Sequence, residues 1–98
     1  MTGNPRPIRV LAVDDHALVR KGILLISAES DIQLVAEAST GSEGVKEFRT
    51  HRPDVTIMDL QMPCMSGVEA ILAIRGEFPN ARVIMLTTYM GDYKLPER

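Results

Sequence analysis

The feature that most limits what this chain can fold into is an alternation: short, apolar, β-branched runs take turns with longer stretches of helical periodicity. Ile8 to Val13 (Ile-Arg-Val-Leu-Ala-Val) follows two prolines and is mostly apolar, so it reads as a strand buried on both faces. His16 to Ala28 is too long for a strand. It sets Leu18, Gly22 and Leu25 on one helical stripe and Val19, Ile23 and Ile26 on the next, which predicts a helix with a broad apolar face. Gln33 to Ala38 predicts a second strand. Thr40-Gly41-Ser42-Glu43 then has capping-box spacing, in which a hydroxyl and a carboxylate satisfy backbone N–H groups at a helix start, and this helix ends near Pro53. Asp54 to Met58 predicts a third strand. Ser66-Gly67-Val68-Glu69 repeats the box before Ile71, Leu72, Ile74 and Phe78, with a stop near Pro79. Arg82 to Leu86 predicts a fourth strand. Eleven residues follow Thr87, and Gly91 and Pro96 among them discourage a long helix.

The connections are too short for a domain boundary, and 98 residues suffice for one modest core. Three rounds of alternation imply an α/β domain with a parallel sheet wrapped by helices. Right-handed crossovers favour a doubly wound order, whose ligands gather beyond the carboxyl ends of the strands. Composition removes several classes of function. A net charge of -2 and a pI near 5.6 supply no basic face for nucleic acid. The lone Cys64 cannot form an internal disulfide, no apolar run is long enough to span a bilayer, and residues 1–7 lack signal-peptide character, so the expected compartment is the reducing cytoplasm.

The polar residues fall where such a fold puts its ligands. Asp14 and Asp15 follow the first strand at once, and Asp59 follows the third. If those strands are neighbours, three carboxylates meet at one edge, and like charges so close raise one another's pKa unless a cation joins them. Magnesium, a hard ion that prefers oxygen, suits carboxylates, a backbone carbonyl and water. A single Asp after a strand is ordinarily a cap or turn residue, but three at the same end of two strands favour the cation. His16 beside them reads as a first-turn helix residue, because magnesium prefers oxygen and His51 lies a strand away. Pro63 and Gly67 read as backbone-shaping residues, and Met62, Cys64 and Met65 as packing groups.

Three stretches together resemble the receiver domains of bacterial response regulators, particularly the NarL/FixJ subfamily. They are Ile8 to Arg20 with its Asp14-Asp15-His16 and Leu-Val-Arg, Asp59-Leu60-Gln61-Met62-Pro63-Cys64-Met65-Ser66-Gly67, and Val83-Ile84-Met85-Leu86-Thr87-Thr88. The resemblance implies a flavodoxin/CheY-like doubly wound sheet, and a signalling domain rather than an enzyme. It makes Asp59 the phosphoryl acceptor, served by a sensor histidine kinase. Asp15 would bind Mg2+ directly, Asp14 through water, and the Gln61 backbone carbonyl would complete the protein ligands, with Asp59 itself among them. Thr87 would be the hydroxyl that couples phosphorylation to rearrangement; by itself it reads as an ordinary strand-end threonine.

The chain also departs from that family. A complete receiver alternates strand and helix five times, whereas this sequence supplies about four strands and three helices, without the usual last strand and last two helices. The reading is therefore a short tail over residues 1–7, a truncated receiver over 8–92 and an atypical tail over 93–98. The family's lysine after strand five has no counterpart, since Lys94 comes only seven residues after Thr87. Its loss is expected to slow phosphoryl transfer by about 10²–10³, by analogy with removed oxyanion donors. Uncovered, the edge of strand four and the outer face of helix one are expected to drive self-association. DNA would be reached only through a separate effector domain, and no membrane is involved. The alternative function is a degenerate dimerisation module without productive phosphorylation. An aspartyl-nucleophile phosphatase is disfavoured because Gln61 stands where such enzymes carry a second acid.

Overall fold

A computed structural model describes residues 6–29, 31–62 and 66–86, so Pro63, Cys64, Met65, Thr87 and Lys94 lie outside the described residues. Within them the order is β1 (Ile8–Val13), α1 (Ala17–Ala28), β2 (Ile32–Ala38), α2 (Gly41–His51), β3 (Val55–Asp59), α3 (Gly67–Glu77) and β4 (Val83–Leu86). The strands form one parallel sheet in the order β2-β1-β3-β4. Strand order therefore reverses between β1 and β3, which opens a crevice at their carboxyl ends. β2 carries one irregularity, because Val10 pairs with Leu34 while Leu11 pairs with Ala36, which leaves Val35 as an extra residue.

Both faces of the central strands are used, but unequally. Leu11, Val13 and Met58 join Val45 and Phe48 of α2, Ala70 and Ile74 of α3, and Met62 in one buried cluster. Each large side chain buried there contributes about 1.5–3 kcal/mol of transfer free energy. Among the described residues α1 packs mainly on β1 and β2, and Ser27 is its one buried residue. The broad apolar face foreseen for this helix is largely open to solvent, with Leu18 81% and Leu25 69% exposed. Ile84 and Met85 of β4 are exposed as well.

Helix starts follow their caps. Ser66 and Glu69 form the full reciprocal box. At α2 only half of the foreseen box exists. Thr40 accepts from the Glu43 N–H, but the Glu43 carboxylate takes the backbone N–H and hydroxyl of Ser39, one residue earlier. That choice lets one carboxylate satisfy two donors. α2 ends with Arg52 in the left-handed region, at φ 46° and ψ 61°. A non-glycine residue there is strained by about 1–2 kcal/mol. The Arg52 guanidinium lies 4.1 Å from the Phe78 ring centre, and its carbonyl accepts from the Arg9 guanidinium, two contacts that offset the strain. Phe48 packs on Phe78, and Arg49 grips Glu77 through two nitrogens, so the lower ends of α2 and α3 are fastened together. Among the described residues, no helix is long and apolar enough to cross a membrane.

Candidate cation site at the carboxyl end of the sheet

β1 and β3 pair in parallel with Val13 opposite Met58, so the residues that follow each are brought side by side. Asp14 leaves β1 there. Asp59, expected just beyond the third strand, is in fact its last residue and pairs with Leu86 of β4. Carboxylate oxygens of Asp14, Asp15 and Asp59 and a ring nitrogen of His16 all lie within 4.8 Å of one another. Asp14 and Asp59 are buried, whereas Asp15 stands toward solvent.

Local bonds hold the acids in place. Asp14 Oδ1 accepts the His16 backbone N–H at 2.8 Å, closing a tight turn before α1, and the Asp14 backbone N–H donates to the Ala38 carbonyl. Asp59 Oδ1 accepts the Gln61 N–H at 3.0 Å, which sets the Gln61 peptide beside it. Gly67 comes so close that a Cβ there would sit 2.2 Å from the Asp59 carbonyl oxygen, so only glycine permits α3 to start where it does. Met62 is buried in the core, as a packing residue should be.

Two residues matter here that have no part in the site as read from the sequence: His16 reads there as a first-turn helix residue only, and Arg20 has no role. His16 is the N-cap of α1 but makes no side-chain capping bond. Its ring turns instead into the acids, with Nδ1 2.8 Å from Asp14 Oδ1, 3.1 Å from Asp15 Oδ1 and 3.7 Å from Asp59 Oδ2. Arg20, one turn further along α1, donates to the Asp14 carbonyl at 2.6 Å and to Glu37 at 3.1 Å, tying the acidic turn to α1 and β2. The only advance signal was spacing: His16 and Arg20 are four residues apart on one helical face.

The charges in this pocket are poorly matched. Burial pushes the Asp59 carboxyl above the usual carboxylate range, the nearby Asp14 and Asp15 push it further, and the Gln61 N–H pulls it back. His16 is raised above its ordinary value, chiefly by its hydrogen bond to Asp14. Asp14 Oδ2 is buried with no hydrogen-bond partner among the described residues, and an uncompensated carboxylate oxygen in such a place is costly. Carboxylates in excess beside a buried acceptor oxygen that lacks a donor fit a divalent cation.

A doubly wound sheet of order 2-1-3-4, with its polar crevice where the order reverses and acids at the ends of the two central strands, defines a flavodoxin-like α/β domain. The chain belongs to the response regulator receiver domain family, whose model it matches over residues 10–95. It is 44% identical over 89 residues to the transcriptional regulatory protein LiaR of Bacillus subtilis, a match covering 90% of this chain and 42% of that protein. It is also similar to a solved two-component response regulator of the LuxR family from Aurantimonas, with a TM-score of 0.78 and 36% identity over 87% of this chain and 61% of that one. A CheX–CheY–BeF3–Mg complex from Borrelia burgdorferi gives a TM-score of 0.82 at 29% identity, covering 89% of this chain and 66% of that one. The chain spans about two fifths of the length of the curated relatives it matches. Receiver domains are signalling regulators that bind Mg2+ in an acidic pocket and interact with sensor histidine kinases, and this chain carries the acidic cluster.

Proposed function

We propose that this chain is the phosphoacceptor part of a two-component response regulator, taking a phosphoryl group from a histidine kinase on Asp59 and passing the change to a transcriptional output. The observation that carries the reading is the meeting of Asp14, Asp15 and Asp59 at the reversal of strand order. Asp59 is the nucleophile: one carboxylate oxygen bonds to phosphorus as the phosphorus–nitrogen bond to the donor histidine breaks, giving an acyl phosphate. Its other restraint, the Gln61 N–H, fixes the carboxylate plane. Asp15, Asp14, Asp59 and the Gln61 backbone carbonyl would hold Mg2+, which when bound supplies positive charge against the acids and the incoming phosphoryl oxygens. Arg20 steadies the Asp14 backbone, and Gly67 lets α3 cover the Asp59 peptide. Thr87 is assigned the switch hydroxyl from its position after β4 in the chain.

The test is labelling with radioactive acetyl phosphate and Mg2+. Incorporation into the native chain, abolished in Asp59→Asn and by chelation of Mg2+, supports the reading; equal labelling of native and Asp59→Asn chains overturns it. The setting is cytoplasmic, and DNA is reached only through a separate effector domain.

A second reading is favoured by the exposed Leu18 and Leu25 on α1 and Ile84 and Met85 on β4. In it the fold works as a dimerisation module without productive phosphorylation, chains associating through the β4 edge and α1. Sedimentation separates the two. Association at micromolar concentration in a chain that takes no label favours the second, and a labelled monomer favours the first.

A further inference from the structure

A histidine ring has no established task in an all-oxygen cation pocket, yet His16 points into this one. Its Nδ1 stands 2.8, 3.1 and 3.7 Å from oxygens of Asp14, Asp15 and Asp59. The 2.8 Å contact to Asp14 Oδ1 is a hydrogen bond, and the two shorter distances are also close to the roughly 3 Å that separates neighbouring octahedral ligands around an ion with bonds of about 2.1 Å, so Nδ1 stands where a ligand would once it gives up its proton. The ring gives up the capping bond its position on α1 invites. Independently, Asp14 is 1% exposed and its Oδ2 has no hydrogen-bond partner among the described residues, an acceptor left for a positive group.

We propose that His16 Nδ1 is a cation ligand, so that the pocket prefers first-row transition ions such as Co2+ over Mg2+ by more than its three carboxylates alone would. Imidazole suits such ions, whereas Mg2+ gains little from nitrogen. The inference rests on the reading of this cluster as a cation site. On ligation the ring carries its hydrogen on Nε2, because Nδ1 cannot hold a proton and an ion together.

The experiment is calorimetric titration of the full chain with Mg2+ and with Co2+ at one pH, with His16 intact and in His16→Ala, His16→Gln and Asp59→Asn. All carry His51→Ala, because His51 and Glu47 stand 3.1 Å apart and form a second nitrogen–oxygen pair. Both His16 variants are expected to lose Co2+ affinity by about tenfold or more while Mg2+ affinity moves less than about threefold. Zn2+ should shift the nitrogen-15 signal of His16 Nδ1. Tighter binding of both ions in the His16 variants, equal weakening of both, or no change would each overturn the proposal, the first showing a ring that competes with the ion. If His16→Ala does not fold, His16→Gln alone decides. Undiminished Mg2+ binding in Asp59→Asn would instead sink the cation-site reading beneath it.

Discussion

Strand β3 lies between two aspartates treated in opposite ways. At its amino end Asp54 accepts the Arg9 N–H at 2.8 Å and pairs with the Arg6 guanidinium at 3.2 Å, and these contacts hold its carboxyl below the ordinary range. At its carboxyl end Asp59 is buried among other acids, and its carboxyl is raised. The same chemical group is thus a modest stabiliser at one end of a strand and a liability at the other. The difference teaches where the fold has been left uncompensated, and so where a further positive group is wanted.

That contrast can be broken or sharpened by substitution. The largest effect is expected from Gly67→Ala, which drives a methyl into the Asp59 peptide. Stability should fall by about 2–3 kcal/mol in urea denaturation, and a loss under about 0.5 kcal/mol would mean that α3 can move away freely. Thr56→Val, midway along the strand, removes a fully buried hydroxyl that has no partner among the described residues. It should raise stability by about 1 kcal/mol, and a drop would reveal a partner for that hydroxyl.

The two aspartates themselves should give opposite pH slopes. A depressed carboxyl contributes stability above its unfolded pKa and loses it as pH falls through the lower folded value, so Asp54→Asn should flatten the acid limb of the melting profile below about pH 4. A raised carboxyl does the reverse: its cost appears as pH climbs from the unfolded pKa to the folded one and persists above. Asp59→Asn should therefore raise Tm at neutral pH without Mg2+ and change it least at acid pH. Parallel shifts in both variants would erase the distinction drawn between the strand's ends. The smallest effect belongs to the open surface, where Leu25→Lys should change stability by less than about 0.5 kcal/mol while reducing any self-association seen by sedimentation.

Much of this arrangement was legible in the residues. The runs at Ile8, Asp54 and Arg82 read as strands because β-branched residues without alternation fit a sheet covered on both sides, and Asp14, Asp15 and Asp59 gained meaning from following such runs. What stayed hidden depends on side-chain direction or on distant partners. The helical pattern of α1 announces an apolar face but not what covers it. Nothing local told that the His16 ring would abandon its cap for three acids, that Glu43 would prefer Ser39, or that Val35 would stand out of register. Each is a choice between nearly equal local options, for His16 among Asp14, Asp15 and the distant Asp59 and for Glu43 between two neighbouring N–H groups, and spacing alone does not rank such options.

The seam between Phe48 and Phe78, locked by Arg49 and Glu77, sits at the far end of α2 and α3 from the acids. At the opposite end α3 begins with Gly67 lying directly against the Asp59 peptide, so the two helices cannot part at their heels and any displacement of that peptide must be taken up by the first turn of α3.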